Sequence, residues 1–150
     1  MRFAPEPSIK TAPKSGPSAQ SAIIFCNLGT PDAPTTSAVR RYLAEFLGDH
    51  RVVEIPRPIW WLILHGVILR TRPAQSAAKY ASVWTKEGSP LAVWTHKQAL
   101  MLQGWLAQRG QNTKVFPAMR YGNPSIPSQL DAIKAQGIQH ILVVTAYPQY

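Results

Sequence analysis

The apolar positions of the chain fall into short, largely apolar runs separated by longer segments with helical spacing. The runs cover residues 21–26 (SAIIFC), 114–119 (KVFPAM) and 140–145 (HILVVT), and turn-forming residues follow the first two closely. Runs of this length bounded by turn signals are typical of buried strands. Residues 52–55 (VVEI) predict a further brief strand or extended segment. We therefore expect a sheet of mostly buried strands.

Apolar residues recur at helical spacing in the segments between these runs, which predicts amphipathic helices. A first helix follows the capping hydroxyls of residues 35–37 and ends at Gly48. An apolar helix is expected over residues 59–70. A second helix is expected to begin at Pro73, because proline is favoured in the first helical turn, and to end near Trp84.

The longest predicted helix runs from Leu91 to about Arg109 and is followed by Gly110. A shorter helix is expected from Ile126 until Gly137 stops it. Because proline cannot donate to a sheet ladder, Pro117 confines the 114–119 strand to an edge or a bulge. The apolar side of the long helix consists of Leu91, Trp94, Met101, Leu102 and Trp105.

Strands that alternate with helices predict an α/β fold of three layers, with a parallel sheet covered by helices on both faces. In such sheets, ligands bind outside the carboxyl ends of the strands. The loops expected there are residues 28–34, 120–125 and 146–150. The chain stops within the third of these loops, which predicts an N-terminal piece of a longer protein.

Composition supports one folded unit over residues 21–150, preceded by a tail. With 45% apolar and 15% charged residues among 150, the chain can bury a core, which excludes global disorder. Residues 1–20 are rich in Pro, Ser, Ala and Lys and predict a disordered basic tail without the apolar centre of a signal peptide. The longest apolar stretch, residues 58–69, is shorter than the ~18 residues that span a bilayer. We expect a cytosolic protein.

Sixteen Lys and Arg against seven Asp and Glu give a formal charge of +9, which predicts a negatively charged partner. The basic residues are scattered instead of interleaved with aromatics on one face, which disfavours a nucleic-acid binder. Trp60 and Trp61 lie in an apolar segment flanked by arginines, and one of these two adjacent rings is expected to face outwards. This segment fits an amphipathic ligand with carboxylates or peripheral contact with an anionic bilayer. A buried helix with solvated ends is the alternative.

Several residues that could carry chemistry have a simpler structural interpretation. Cys26 lies in a predicted buried strand, where a thiol is inert. Asp32 and Glu87 have no carboxylate partner at a readable spacing and predict loop hydrogen bonds. Neither GxGxxG nor GxxxxGK[ST] occurs, which disfavours a nucleotide site. The histidines lack metal-ligand spacing and predict structural or solvated roles: His50, His65, His96 and His140.

Four short motifs distinguish this chain from a generic α/β domain. They are NLGTP at 27–31, GSP at 88–90, MRYGNP at 119–124 and YPQY at 147–150. In this order and at these separations they resemble ferrochelatase, the family that inserts ferrous iron into a porphyrin in haem synthesis. The segment from Ile55 to Pro90 resembles the proteobacterial members closely. The resemblance covers the N-terminal half of the family only.

The resemblance implies two similar Rossmann-like α/β domains with a porphyrin cleft between them, of which this chain is the first. It implies insertion of ferrous iron into protoporphyrin IX to form protohaem, with both as substrates and no cofactor required. The catalytic histidine and glutamate of the family lie beyond Tyr150, so neither a catalytic residue nor a metal ligand is assigned here, and the fragment alone is expected to be inactive. A non-catalytic porphyrin- or haem-binding module complete at this length is the alternative.

Carried over from the family, Leu28 corresponds to the position beneath the macrocycle. Arg70 and Arg72 are both eligible as the porphyrin-binding arginine, and the choice stays open. A porphyrin is a flat apolar disc with propionates, so it needs apolar walls and cationic or hydroxyl donors at one edge. The other positions implied to bind porphyrin are Tyr80, Ser89, Arg120, Tyr121 and Tyr147.

Overall fold

The computed structural model describes residues 21–148, and strands and helices alternate along this part of the chain. The predicted disordered tail, residues 1–20, lies outside the described residues. Gln149 and Tyr150 of the last motif lie outside them as well. The predicted α/β class is confirmed, because the strands are parallel and helices lie on both sides of the sheet.

The sheet has three strands in the order β2-β1-β3, so the first strand in the sequence is central. Both neighbours run parallel to it, and Ser21 pairs with Thr113 on one side and with His140 on the other. The carboxyl ends of the strands therefore share one edge of the sheet. The strands are β1 (Ser21–Thr30), β2 (Thr113–Gly122) and β3 (His140–Thr145).

The observed strands differ from the predicted ones in two respects. Residues 52–55 form no strand in the described structure. β1 and β2 both continue past the turn-forming residues at which they were expected to end, because they pair with each other as far as Thr30 and Gly122. The sequence suggests a turn at Asn27 and Gly29, but long-range pairing keeps both within the strand, where Gly29 adopts a φ of +123°. Pro117 lies in an edge strand, as predicted.

The helices flank the sheet and largely match the predicted segments. Thr35 caps the first helix, since its hydroxyl accepts a hydrogen bond from the N–H of Ala38. A five-residue π-helical turn (Leu64–Ile68) joins the second helix to the third. The helices are α1 (Thr36–Gly48), α2 (Arg57–Ile63), α3 (Leu69–Val83), α4 (Pro90–Gln108) and α5 (Ile126–Ala135).

The predicted helix start at Pro73 is wrong, because Pro73 lies inside α3 and is fully buried. Proline removes one backbone donor and crowds the preceding turn, which disfavours it in a helix interior. Here the helix continues from residue 57 through the π-helical turn to residue 83. Burial of this proline with Leu69 and Ala77 offsets the local cost of the missing hydrogen bond.

Two apolar clusters form the core, one on each face of β1 and β2. On one face, Ile133 of α5 packs with Ile24 and Cys26. On the other, Ala99 and Leu106 of α4 pack with Val115. Helices on both faces of these two strands confirm the predicted three-layer arrangement.

Most of the apolar side expected for the long helix does not meet the sheet, although Leu102 packs against the cluster that contains Val115. Trp94 is 62% exposed and Met101 is 73% exposed, whereas Thr95, Ala99 and Leu106 are buried. The face of α4 that packs against the strands therefore combines the small side chains of Thr95 and Ala99 with Leu106. The expectation that every strand is buried also fails at β3, where Leu142 is 57% exposed.

Among residues 21–148, none of the helices combines the length and the apolar character needed to cross a bilayer.

Candidate functional site

A cavity of about 480 Å³ opens at the carboxyl end of β1, within the range of small-molecule sites. Its walls come from the residues after β1, the turn before α4 and the first turns of α4. We call it the carboxyl-end cavity. It is lined by Thr30, Pro31, Asp32, Trp84, Glu87, Gly88, Ser89, Ala92, Val93, His96, Lys97 and Asn123.

Ser89 provides a hydroxyl in the wall of this cavity. The residue is buried, and its Oγ lies 2.8 Å from Oγ1 of Thr30. Each hydroxyl carries one O–H donor, and their shared hydrogen bond uses only one of the two. The other O–H therefore remains to donate to a ligand in the cavity.

An aromatic cluster connects the wall of the cavity to β2. Tyr42 of α1 lies at its centre, with its ring centroid 6.0 Å from Phe46 and 6.5 Å from Tyr80. Tyr80 in turn contacts Trp84, which lines the cavity, and Phe46 contacts Tyr121. The hydroxyl of Tyr42 donates to the carbonyl oxygen of Gly29, and burial raises the pKa of Tyr42 to about 12. The cluster therefore stays uncharged.

Asp49, just after α1, joins Arg120 and Tyr121 at the end of β2. Its Oδ2 accepts hydrogen bonds from Nη2 of Arg120 at 2.7 Å and from the hydroxyl of Tyr121 at 3.0 Å. The N–H of Arg51, with smaller contributions from Tyr121 and Arg120, lowers the pKa of Asp49. Burial, followed by the hydrogen bond to Asp49, raises the pKa of Tyr121. A carboxylate thus faces a guanidinium and a neutral phenol.

Two further carboxylates hold the segment that follows Tyr121. Glu45 accepts from the N–H of Gly122 at 2.9 Å, and Asp32 accepts from the side-chain amide of Asn123 at 3.0 Å. The loop hydrogen bond predicted for Asp32 is confirmed. Sequence reasoning missed Glu45 and Asp49, because the partners are 71 to 77 residues apart and no local spacing marks them.

The remaining positions implied by the resemblance are placed as follows. Leu28 lies near the end of β1 and is 36% exposed. Tyr147 is half-buried against the core cluster beneath α5 and adds a small upward contribution to the pKa of Tyr121. Arg70 and Arg72 are both exposed on α3 and form no hydrogen bond or ion pair with residues of the described range. Ser89 lines the cavity, and Tyr80 contacts Trp84 in its wall. The aromatic cluster also connects Tyr80 to Tyr121, whose ring lies under Arg120. Neither arginine of α3 lines the cavity.

The thiol and the histidines that were expected to lack chemistry are buried or exposed, although His96 also lines the carboxyl-end cavity. Cys26 is buried, and burial raises the pKa of its thiol against the opposing charge of Arg120. Between residues 21 and 148, we find no cluster of three His, Cys, Asp or Glu side chains that could hold a metal ion. The four histidines are all exposed, and His65 stacks on Trp61 at 4.8 Å between ring centroids.

The two adjacent tryptophans of α2 separate as predicted. Nε1 of Trp60 donates to the carbonyl oxygen of Leu47 at 2.7 Å, so this ring packs against α1. Trp61 is 61% exposed, and Leu62 beside it is 65% exposed. Residues 58–69 therefore present an outward apolar surface.

Comparisons with known proteins identify relatives of this chain. A family model described as Ferrochelatase matches residues 20–150. The chain is 67% identical over all 150 residues to a ferrochelatase of Polaromonas sp. strain JS666, covering 41% of that protein. It is 61% identical over 150 residues to a ferrochelatase of Methylibium petroleiphilum, covering 40%. It is 58% identical over 149 residues to a ferrochelatase of Dechloromonas aromatica, again covering 40%.

The chain thus spans about two fifths of the length of these relatives. The family model matches nearly all residues after the first twenty, and the family resemblance read from the four motifs is confirmed. On this basis we conclude that the chain belongs to the ferrochelatase family.

Proposed function

We propose that this chain forms one wall of the porphyrin cleft in an enzyme that inserts ferrous iron into protoporphyrin IX, giving protohaem. The observation that carries the proposal is the joining of an aromatic cluster, a buried hydroxyl pair and a guanidinium at one edge of a parallel sheet. We further propose that the chain is the first of two similar α/β domains. Its coverage of only two fifths of the related ferrochelatases supports this division.

The chemistry of these groups suits a porphyrin. Tyr80 and Trp84 offer ring faces or edges to an apolar macrocycle. The spare hydroxyl donor of the Thr30–Ser89 pair and the guanidinium of Arg120 suit propionate carboxylates, since charge-assisted hydrogen bonds are stronger than neutral ones. A rigid cleft can also use binding energy to bend the macrocycle, which tilts the pyrrole lone pairs towards the incoming ion.

Removal of the two pyrrole protons needs a base with a pKa near the working pH. No residue of the described part of this chain is assigned that step. By family resemblance, we assign it to the histidine and glutamate beyond Tyr150. This chain's share of the reaction is therefore to bind and orient the porphyrin.

Replacing Arg120 with alanine is expected to weaken binding of a dicarboxylic porphyrin by roughly tenfold to a hundredfold, the equivalent of one charged hydrogen bond. The carboxylate of Asp49 is left facing the propionate, which adds repulsion. Affinity is measured by titrating the porphyrin with a protein that has the length of the related ferrochelatases and following the shift of the Soret absorption band. Arg109→Ala is the matched control, because Arg109 lies at the far end of α4 over Trp105. Equal affinities for the two variants would remove Arg120 from the site.

Two lengths of protein separate the two candidate functions. Formation of protohaem from ferrous iron and protoporphyrin IX by the protein at the length of its relatives supports the enzyme. Tight porphyrin binding by the 150-residue chain, with no metal insertion at either length, would instead favour the non-catalytic binding module complete at this length.

We also propose that residues 58–69 make peripheral contact with an anionic membrane surface. Trp61 and Leu62 are exposed there, and Arg57, Arg70 and Arg72 flank the segment without an intervening acid. Interfacial helices bind through apolar area together with attraction to anionic lipid.

Replacing both Trp61 and Leu62 with serine is expected to lower partitioning onto phosphatidylglycerol-containing vesicles several-fold, because both apolar side chains are lost from the contact. Co-sedimentation of protein and vesicles measures this. Trp94→Ser is the matched control, since Trp94 is 62% exposed and Trp61 is 61% exposed but they lie on different helices. Unchanged partitioning of the double variant would exclude this segment as the contact.

A further inference from the structure

The chain has only seven acidic residues, and one of them, Asp49, is largely buried. Its side chain is only 15% exposed, and both of its carboxylate oxygens are used. Oδ1 accepts the N–H of Arg51 at 2.9 Å, which fixes the carboxylate relative to the turn after α1. Oδ2 accepts from Arg120 and Tyr121 together. One oxygen thus orients two neighbouring side chains of β2.

We propose that Asp49 is a positioning residue for porphyrin binding, which sets the orientation of Arg120 and keeps Tyr121 hydrogen-bonded beneath it. The inference rests on the proposed function and adds to it a residue that the sequence motifs do not contain. Asp49 acts through Arg120, and contact with the porphyrin itself is assigned to Arg120.

The geometry gives the reason for this role. Arg120 lies on an edge strand, and its side chain is 35% exposed, so by itself it would sample many rotamers. Asp49 binds one terminal nitrogen, and the guanidinium carbon lies 4.9 Å from the centroid of the Tyr121 ring. The other guanidinium N–H groups have no hydrogen-bond partner among residues 21–148. They remain available to a propionate in a fixed orientation.

Ordering of such a side chain before the ligand arrives lowers the entropy lost on binding. Asp49→Asn keeps the shape but weakens the hold on Arg120. We expect it to reduce porphyrin affinity by roughly tenfold. This corresponds to the side-chain entropy that Arg120 would lose on binding if it were no longer held in one rotamer. If Asp49 acts only through Arg120, the same substitution in an Arg120→Ala background is expected to cause no further loss of affinity, because no guanidinium is left to position.

The test is a double-mutant cycle on the protein at the length of its relatives, with dicarboxylic porphyrin affinity measured by the Soret shift. The four proteins are wild type, Asp49→Asn, Arg120→Ala and the double variant. Asp131→Asn, an exposed acid on α5, is the matched control and is expected to bind like wild type. Thermal unfolding of each variant separates loss of the fold from loss of binding, because a purely structural role would lower affinity and melting temperature together.

The outcomes distinguish this inference from the proposed function. Non-additive losses confirm the positioning role. Fully additive losses of affinity overturn the inference. It is also overturned if Asp49→Asn binds porphyrin like wild type while Arg120→Ala binds weakly. In both cases the proposed porphyrin site is retained. A wild-type protein that does not bind porphyrin overturns both. If Asp49→Asn does not fold, the cycle is run with Asp49→Glu, which keeps the charge but displaces the carboxylate by one methylene.

Discussion

Replacing Gly29 with alanine is expected to prevent β1 and β2 from pairing at the carboxyl end of the sheet. Gly29 has a φ of +123°, a conformation that L side chains rarely adopt, and a Cβ at this position would overlap the carbonyl oxygen of Tyr121. Because the obstacle is backbone in the paired strand, no rotamer change relieves it. We expect a loss of more than about 4 kcal/mol in the free energy of unfolding, at the extreme of single substitutions.

Urea unfolding followed by circular dichroism measures this loss, and failure to obtain folded protein is the limiting result. The matched control is Gly104→Ala. Gly104 lies inside α4 with open space around it, so alanine there is expected to stabilise the helix by about 0.5–1 kcal/mol. A Gly29→Ala protein as stable as wild type would show that β1 does not approach β2 as closely as described.

Replacing Tyr42 with alanine is expected to cost about 3–5 kcal/mol of stability, as for other large buried aromatic residues. Tyr42 is 8% exposed and contacts both Phe46 and Tyr80, so its removal opens a cavity at the centre of the aromatic cluster. Trp94→Ala, which removes a largely exposed ring from α4, is expected to cost less than about 1 kcal/mol. Equal losses in the two variants would contradict a central role for Tyr42.

Tyr42→Phe isolates the hydroxyl from the ring. It removes the 3.2 Å hydrogen bond to the carbonyl oxygen of Gly29 and is expected to cost about 1 kcal/mol at neutral pH. The raised pKa, about 12 in the folded protein against an ordinary value of 10, gives this difference a pH dependence. Below pH 10 the stabilisation of the neutral phenol is fully present, and it is lost as pH rises towards 12. The advantage of wild type over Tyr42→Phe, measured by urea unfolding, is therefore expected to shrink between pH 10 and pH 12.

Local patterns in the sequence predicted the order and type of most elements. α1, α4, α5 and β3 lie within about one residue of their expected bounds, because capping hydroxyls, glycines and apolar runs mark the ends of elements locally. The edge position of Pro117 followed from its missing N–H in the same way. The four motifs also identified the family, which the match over residues 20–150 confirms.

Local patterns failed where packing outweighed them. The sequence does not distinguish a proline in the first turn of a helix from one inside it, so Pro73 was predicted to start a helix. The burial of Pro73 within α3 shows that it lies inside the helix. On α4, Trp94 and Met101 were expected to form the packed side because large apolar residues usually do. The strands instead meet the face that carries Ala99 and Leu106.

For this protein, the sequence by itself determined the α/β class, the parallel strands and the residues whose family resemblance points to a porphyrin. The tertiary structure alone decided which groups hold those residues in place. The contacts of Asp49, Glu45 and Asp32 with residues 120–123 join positions 71 to 91 residues apart. Spacing along a chain reports on neighbours within a few turns, whereas contacts of this length arise only when β1 pairs with β2 and α1 packs beside β2.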